Sequence, residues 1–168
     1  MTRRIAIAFG CQIALSSIHH IYGGFAYQSA FRLFMPFIAV GEWLVVMGLL
    51  SWYRRTRRSI ALTLFSTAAA LVGIVQGLVH VVYGHAYKNI LFAAGIPRHS
   101  VTTFFRPLTP NDFVYPPNDI FFEGTGLLQL VTIALIARFT YCLLRKANSY
   151  SAGSKAVDDH AGEGLTAR

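Results

Sequence analysis

The chain has 168 residues, of which 54% are hydrophobic and 13% are charged, and its formal net charge is +8. Soluble domains carry about 25% charged residues, so this composition excludes an ordinary soluble domain and indicates an integral membrane protein. The basic residues lie at the ends of apolar runs rather than along a polar face, so no nucleic-acid partner is predicted. The two cysteines, Cys11 and Cys142, lie inside apolar runs and predict no disulfide framework.

Four long apolar runs predict an all-α protein with four membrane-spanning helices, at residues 5–22, 33–53, 59–83 and 120–144. Each run has about the 17–25 residues that a spanning helix needs. We expect Gly23 and Gly24 to end the first helix and Gly84 to end the third, because glycine past the last turn adopts a left-handed conformation cheaply. Asn118 and Asp119 are the expected N-caps of the fourth helix.

These spans predict one transmembrane domain over residues 1–146, followed by a disordered cytoplasmic tail over residues 147–168. A long outer loop joins the third and fourth spans, over residues 84–119. Its prolines and aromatic residues predict a lid or docking surface over the outer end of the helices, and the aromatic residues equally allow a loop that rests in the head-group region.

The basic residues set the expected orientation. They flank the spans on one side, at Arg3, Arg4, Arg54, Arg55, Arg57, Arg58, Arg145 and Lys146. By the positive-inside rule this side is cytoplasmic. The sequence therefore predicts a multi-pass protein of a bacterial-type inner (plasma) membrane, with both termini in the cytoplasm. Its expected partners are the lipid bilayer and protein subunits packed against its apolar faces.

One motif, His-x-x-Tyr-Gly, closes both the first and the third span, at residues 19–23 and 80–84. Both spans run in the same direction across the membrane. The duplication therefore predicts a four-helix bundle built from two helical hairpins that are related as parallel repeats. In such a bundle His19 and His80 lie at equal depth near the outer surface and face each other.

Paired histidines on facing helices are typical ligands of a transition metal, and they also suit a haem placed between them. We expect His19 and His80 to be the principal ligands. His20, His85 and Glu123 are weaker candidates, the two histidines because adjacent positions on an α-helix point apart. Further cofactor-binding candidates, on the same helix faces or close to them, are Tyr22, Tyr83 and Gln76. The leading prediction is a metal- or haem-binding subunit of a redox or respiratory assembly.

Two other functions remain open at this point. A carboxylate deep in a membrane span is expensive and marks a functional site, so Glu42 is the candidate catalytic residue of a quinone- or small-molecule-binding enzyme. Alternatively, the repeated motif is an ordinary outer helix end, with tyrosine in the interfacial belt and a histidine near the helix dipole. The protein would then be a non-catalytic structural or assembly subunit.

The second span contains a Gly-Glu pair followed by an apolar run, Gly41-Glu42-Trp43-Leu44-Val45-Val46-Met47-Gly48. Four short spans with this pair resemble the DoxX-like group of small membrane proteins, over the first two spans. The resemblance implies an association with quinone-linked oxidation subunits. The long outer loop and the repeated histidine motif depart from that pattern, so no activity is carried over.

Overall fold

The described elements of the computed structural model are all helical. The structure describes residues 1–104 and 119–166, with side chains described for residues 1–101 and 119–149. In chain order the helices are α1 Thr2–Ala26, α2 Ala30–Thr56, α3 Ser59–Val72, a π-helix Gly73–Tyr87, α4 Lys88–Ala93, α5 Arg98–Phe104 and α6 Ile120–Thr166. Because α3, the π-helix and α4 follow one another without a break, they form one continuous rod.

Four helical segments are long and apolar enough to cross a membrane: Thr2–Ala26, Ala30–Thr56, Ser59–Ala93 and Ile120–Ser149. Large apolar side chains cover their outer faces, and Phe37, Leu44 and Leu78 are 71%, 58% and 59% exposed. Such contiguous apolar surface is unfavourable in water but suits lipid. The helices therefore indicate a multi-pass membrane protein, as the hydropathy predicts.

Helix α1 packs against α2 and α6, and α6 also contacts α3 and the π-helix. The core is apolar near the basic turn between α2 and α3, which spans residues 54–58. There Ile5, Phe9, Val46 and Phe65 are at most 2% exposed. Further along α1 the buried positions become polar and then small. The polar site therefore lies at the end of the helices opposite the basic turn at residues 54–58.

The prediction that glycines end the first and third helices is wrong. Helix α1 continues through Gly23 and Gly24, and the rod formed by α3, the π-helix and α4 continues through Gly84 to Ala93. A Cβ atom at Gly23 would lie 2.4 Å from the Phe122 ring, and one at Gly24 would lie 2.4 Å from the Leu33 side chain. These two glycines therefore allow neighbouring helices to approach closely.

The start of α6 agrees with the expected cap. The Asp119 Oδ1 atom accepts a hydrogen bond from the Phe122 backbone N–H at 2.9 Å, so Asp119 is the N-cap. Its expected companion, Asn118, lies outside the described residues, as does most of the predicted lid. At its other end α6 continues to Thr166, past the predicted end of the fourth span at residue 144. The disorder of residues 147–168 stays a prediction.

Candidate metal centre

Four histidine rings meet at the end of the helices opposite the basic turn at residues 54–58. Two belong to α1 and two to the π-helix. The His19 ring centroid lies 5.1 Å from that of His20, 5.3 Å from that of His80 and 4.8 Å from that of His85. The His80 ring lies 4.8 Å from the His20 ring and 5.2 Å from the His85 ring. The structure therefore brings together the four predicted histidines.

Three of these histidines have the arrangement of a metal-binding set. His19, His80 and His85 each offer one ring nitrogen, and the three nitrogens lie within 4.8 Å of one another. Nitrogen ligands sit about 2.0–2.1 Å from zinc, so two of them in a tetrahedral site are about 3.4 Å apart. Binding one ion through all three nitrogens therefore requires the most widely separated of them to approach each other by up to roughly 1.5 Å.

Several ring nitrogens in this cluster are buried without a hydrogen-bond partner among the described residues: His19 Nε2, His80 Nε2 and His20 Nδ1. A buried polar atom left unsatisfied costs about 1–3 kcal/mol. Most buried polar atoms in proteins have a partner, so three orphaned nitrogens in one cluster call for an explanation. An ion bound between the rings would satisfy the lone pairs that face it.

The other nitrogens of two rings are held by α6. The His19 Nδ1 atom lies 3.1 Å from the Phe122 carbonyl oxygen and 3.1 Å from Thr125 Oγ1. The His85 Nδ1 atom lies 2.7 Å from Glu123 Oε2. Metal-binding histidines usually donate their second ring N–H to a carbonyl or a carboxylate, which fixes the tautomer and the ring orientation. With that tautomer, both rings keep Nε2 free to bind a metal.

Glu123 was expected as a direct ligand, but both of its carboxylate oxygens have partners. Oε2 contacts His85, and Oε1 accepts from Lys88 Nζ at 2.5 Å. Lys88 is 5% exposed and Glu123 is 6% exposed, so the pair keeps two buried charges compensated. Sequence reasoning missed Lys88, which begins α4 directly after the π-helix that carries His85.

His85 is central because its helix is not an α-helix. Positions five apart on an α-helix point about 140° apart, given 3.6 residues per turn. In a π-helix the hydrogen bonds join residues five apart, so His80 and His85 lie on one face. Gly126 of α6 accommodates the second ring, since a Cβ atom there would lie 2.8 Å from three atoms of His85.

His20 also reaches the cluster, although it was a weaker candidate because adjacent positions on an α-helix point apart. His20 is 7% exposed and packs against His80 on the neighbouring rod. Adjacent residues on α1 can both be buried because α1 is enclosed by α2 and α6 as well as by the histidines of the π-helix. The two side chains leave the helix in different directions, yet both reach the cluster.

The predicted cofactor-binding residues have contacts outside the histidine cluster. The Tyr22 hydroxyl donates to Asp119 Oδ2 at 2.9 Å, and the Tyr83 ring stacks on the Tyr87 ring at 6.0 Å. Tyr22 and Tyr83 are 38% and 42% exposed. Their three-residue offset from the histidines was expected to keep them on the inner face, but it turns them towards the surface.

Gln76 contacts Glu42, the candidate catalytic residue. Its Nε2 atom donates to the Glu42 carboxylate at 3.3 Å, which joins the π-helix to α2. Glu42 is partly buried at this contact. A hydrogen bond between helices gives a structural reason for a carboxyl group within the span.

The turn between α1 and α2 contacts the start of α6 at the histidine end of the helices. Tyr27, between α1 and α2, donates its hydroxyl to Asp119 Oδ2 at 3.3 Å. Burial, followed by the negative charge of Asp119, raises the pKa of Tyr27 well above its usual value, so the phenol stays protonated. The guanidinium of Arg32 lies 4.8 Å from the centre of the Phe122 ring. These contacts tie the turn to the start of α6.

A second polar group lies deeper between α1 and α6. Gln12 Nε2 donates to Gln129 Oε1 at 2.9 Å, and the Thr132 hydroxyl donates to Gln12 Oε1. The pairing of Gln129 with Gln12 was not expected, because no pattern along one helix reveals its partner on another. This network gives α1 and α6 a fixed register below the histidines.

Comparisons with protein-family models, with curated proteins and with solved structures each find no match for this chain.

Proposed function

We propose that this protein is a multi-pass membrane protein that binds a transition-metal ion through His19, His80 and His85. One observation carries the proposal: the ligand nitrogens of these three histidines converge to within 4.8 Å. The orphaned nitrogens of His19 and His80 and the held nitrogens of His19 and His85 support it. In the same proposal the four spans form a bundle of two parallel hairpins, in which His19 and His80 are equivalent positions.

A single ion fits this cluster better than a haem does. A haem between two axial histidines needs a planar gap as wide as the macrocycle. Here five pairs of histidine rings have centroids 4.8–5.3 Å apart, and the Phe122 ring stacks on the His19 ring at 4.2 Å. This packing favours an ion, and imidazole ligands suit zinc, copper, iron or nickel.

The ligand set also indicates what the ion would do. Three histidines leave a fourth coordination position, which suits a water molecule or a small ligand, as in catalytic metal sites. The His20 ring packs against the His19 and His80 rings, so a rotation of its side chain would offer a fourth histidine ligand. We propose that the ion bound by these histidines is a redox-active copper or iron ion, and that it serves electron transfer within a membrane redox assembly.

The metal content of the purified protein tests the proposal. We would measure it by elemental analysis in mild detergent for the wild type, for His19→Ala/His80→Ala and for His99→Ala. His99 is an exposed histidine of α5 outside the cluster, so its variant is the matched control. We expect near-stoichiometric metal in the wild type and the control and loss of metal from the double variant.

Circular dichroism would show that the double variant keeps its helices, and visible absorbance would separate haem from a single iron ion. Absence of metal from the wild type, after growth with metals supplied, would refute the proposal. The cluster would then be packing in a structural or assembly subunit. Equal metal content in the wild type and the double variant would place any metal elsewhere.

A further inference from the structure

A separate cavity lies at the opposite end of the helices. It measures about 380 Å³ and opens where the start of α1, the end of α2 and α6 meet. Its polar walls come from Tyr53, Arg54, Arg57 and Lys146, and Leu143 contributes an apolar wall. Ligand pockets usually measure roughly 300–1,000 Å³, so the cavity is large enough for a small polar group.

The charge around this cavity is of one sign. Arg54 and Arg57 line it, and Arg3, Arg4, Arg55, Arg58 and Arg145 belong to the same end of the helices. Among residues 1–101 and 119–149, whose side chains the structure describes, the carboxylates lie elsewhere: Glu42 within α2, and Asp119 and Glu123 at the histidine end. The adjacent positive charges of Arg54 and Arg57 at one cavity wall favour an anionic ligand.

The position of Arg57 is set by the backbone. Arg57 is the C-cap of α2 with a left-handed φ of 54°, and its N–H donates to the Tyr53 carbonyl oxygen at 2.9 Å. Its guanidinium lies 5.6 Å from the centre of the Tyr53 ring, which is itself buried. Stacking on an aromatic ring restrains the guanidinium, so less conformational entropy is lost when it binds an anion.

We propose that this cavity binds a phosphate group, which the headgroup of an anionic phospholipid or a free phosphate compound would supply. Guanidinium groups bind phosphate oxygens through paired hydrogen bonds. Basic pockets between the ends of spanning helices bind anionic headgroups, because they lie at the depth of the lipid phosphates. The site is independent of the histidine cluster, which lies at the other end of the helices.

Native mass spectrometry of the full chain would compare phosphatidylglycerol with phosphatidylcholine as added lipid. The test variant is Arg54→Gln/Arg57→Gln. The matched control is Arg55→Gln/Arg58→Gln, which removes the same charge from the same basic run without touching the cavity wall. We expect the wild type to prefer phosphatidylglycerol, the test variant to bind it on the order of tenfold more weakly, and the control to resemble the wild type.

A second arm distinguishes the two sources of phosphate. Inorganic phosphate would be titrated against wild type and both variants in neutral phosphatidylcholine nanodiscs, with thermal stabilisation as the readout. Stabilisation that depends on Arg54 and Arg57, without preference for phosphatidylglycerol, would assign the site to a free phosphate compound. Equal weakening by both pairs of substitutions, or no effect of either anion on the wild type, would overturn the proposal. Circular dichroism of each variant would establish that the helices are retained.

Discussion

At the scale of single residues, the histidine cluster depends on groups that do not themselves face the site. The Phe122 carbonyl and the Glu123 carboxylate hold the Nδ1 atoms of His19 and His85. Gly126 leaves room for the His85 ring. The cluster can therefore be perturbed without removing a histidine, which tests the proposed metal binding separately from the presence of the four rings.

Replacing Glu123 by Gln removes the charge that orients His85, and we expect metal affinity to fall by about 10–100-fold. Isothermal titration of the metal-depleted protein would measure the change. Glu42→Gln is the control, because Glu42 contacts Gln76 instead of a histidine. Unchanged affinity in Glu123→Gln, with helices intact, would show that Glu123 and Lys88 are only a buried ion pair.

Replacing Gly126 by Ala places a methyl group 2.8 Å from three atoms of the His85 ring. We expect the ring to be displaced and the metal content to fall, while Gly124→Ala leaves it unchanged because no atom lies within 4 Å of its added Cβ. Elemental analysis of both variants beside the wild type checks this. If both retained full metal content, His85 would not be a ligand.

At the scale of whole helices, two features bring the histidines together. The π-helix turns His80 and His85 to one side, and close contact of α1 with α6 at Gly23 brings His19 to the same level. The contact at Gly23 is made by the Phe122 ring, which also stacks on His19. Packing of the helices and formation of the site are therefore coupled.

Replacing Gly23 by Ala overpacks this contact, and we expect the free energy of unfolding to fall by about 1–3 kcal/mol. Gly10→Ala is the control on the same helix, since nothing lies within 4 Å of its added Cβ. That substitution should leave the stability unchanged or raise it by up to about 1 kcal/mol, because alanine favours a helix. Denaturant unfolding in detergent would compare the two, and equal stabilities would argue against close packing at Gly23.

At the scale of the whole molecule, the helices have two chemically different ends. One end carries the buried histidines, capped by the turn between α1 and α2, and the other carries the arginines around the cavity. Charge asymmetry of this kind orients membrane proteins. The orientation predicted from the sequence, with the arginines in the cytoplasm, can be tested directly.

Single cysteines in a background without Cys11 and Cys142 would report this orientation. Gln28 and Thr56 are exposed and lie at the two ends of α2. We expect a membrane-impermeant maleimide to label Gln28→Cys in intact cells and Thr56→Cys only after permeabilisation. The reverse pattern would place the histidine end in the cytoplasm.

The sequence by itself determined the class of the protein, the number of candidate spans, the N-cap at Asp119 and the shared level of His19 and His80. Hydropathy, caps and spacing are properties of neighbouring residues, so they can be read along one chain. The roles of Gly23 and Gly24, the inward position of His85 and the pairing of Glu123 with Lys88 were decided only by the tertiary structure. They depend on which helix lies opposite and on the π-helical winding, and neither is encoded in the periodicity of a single α-helix.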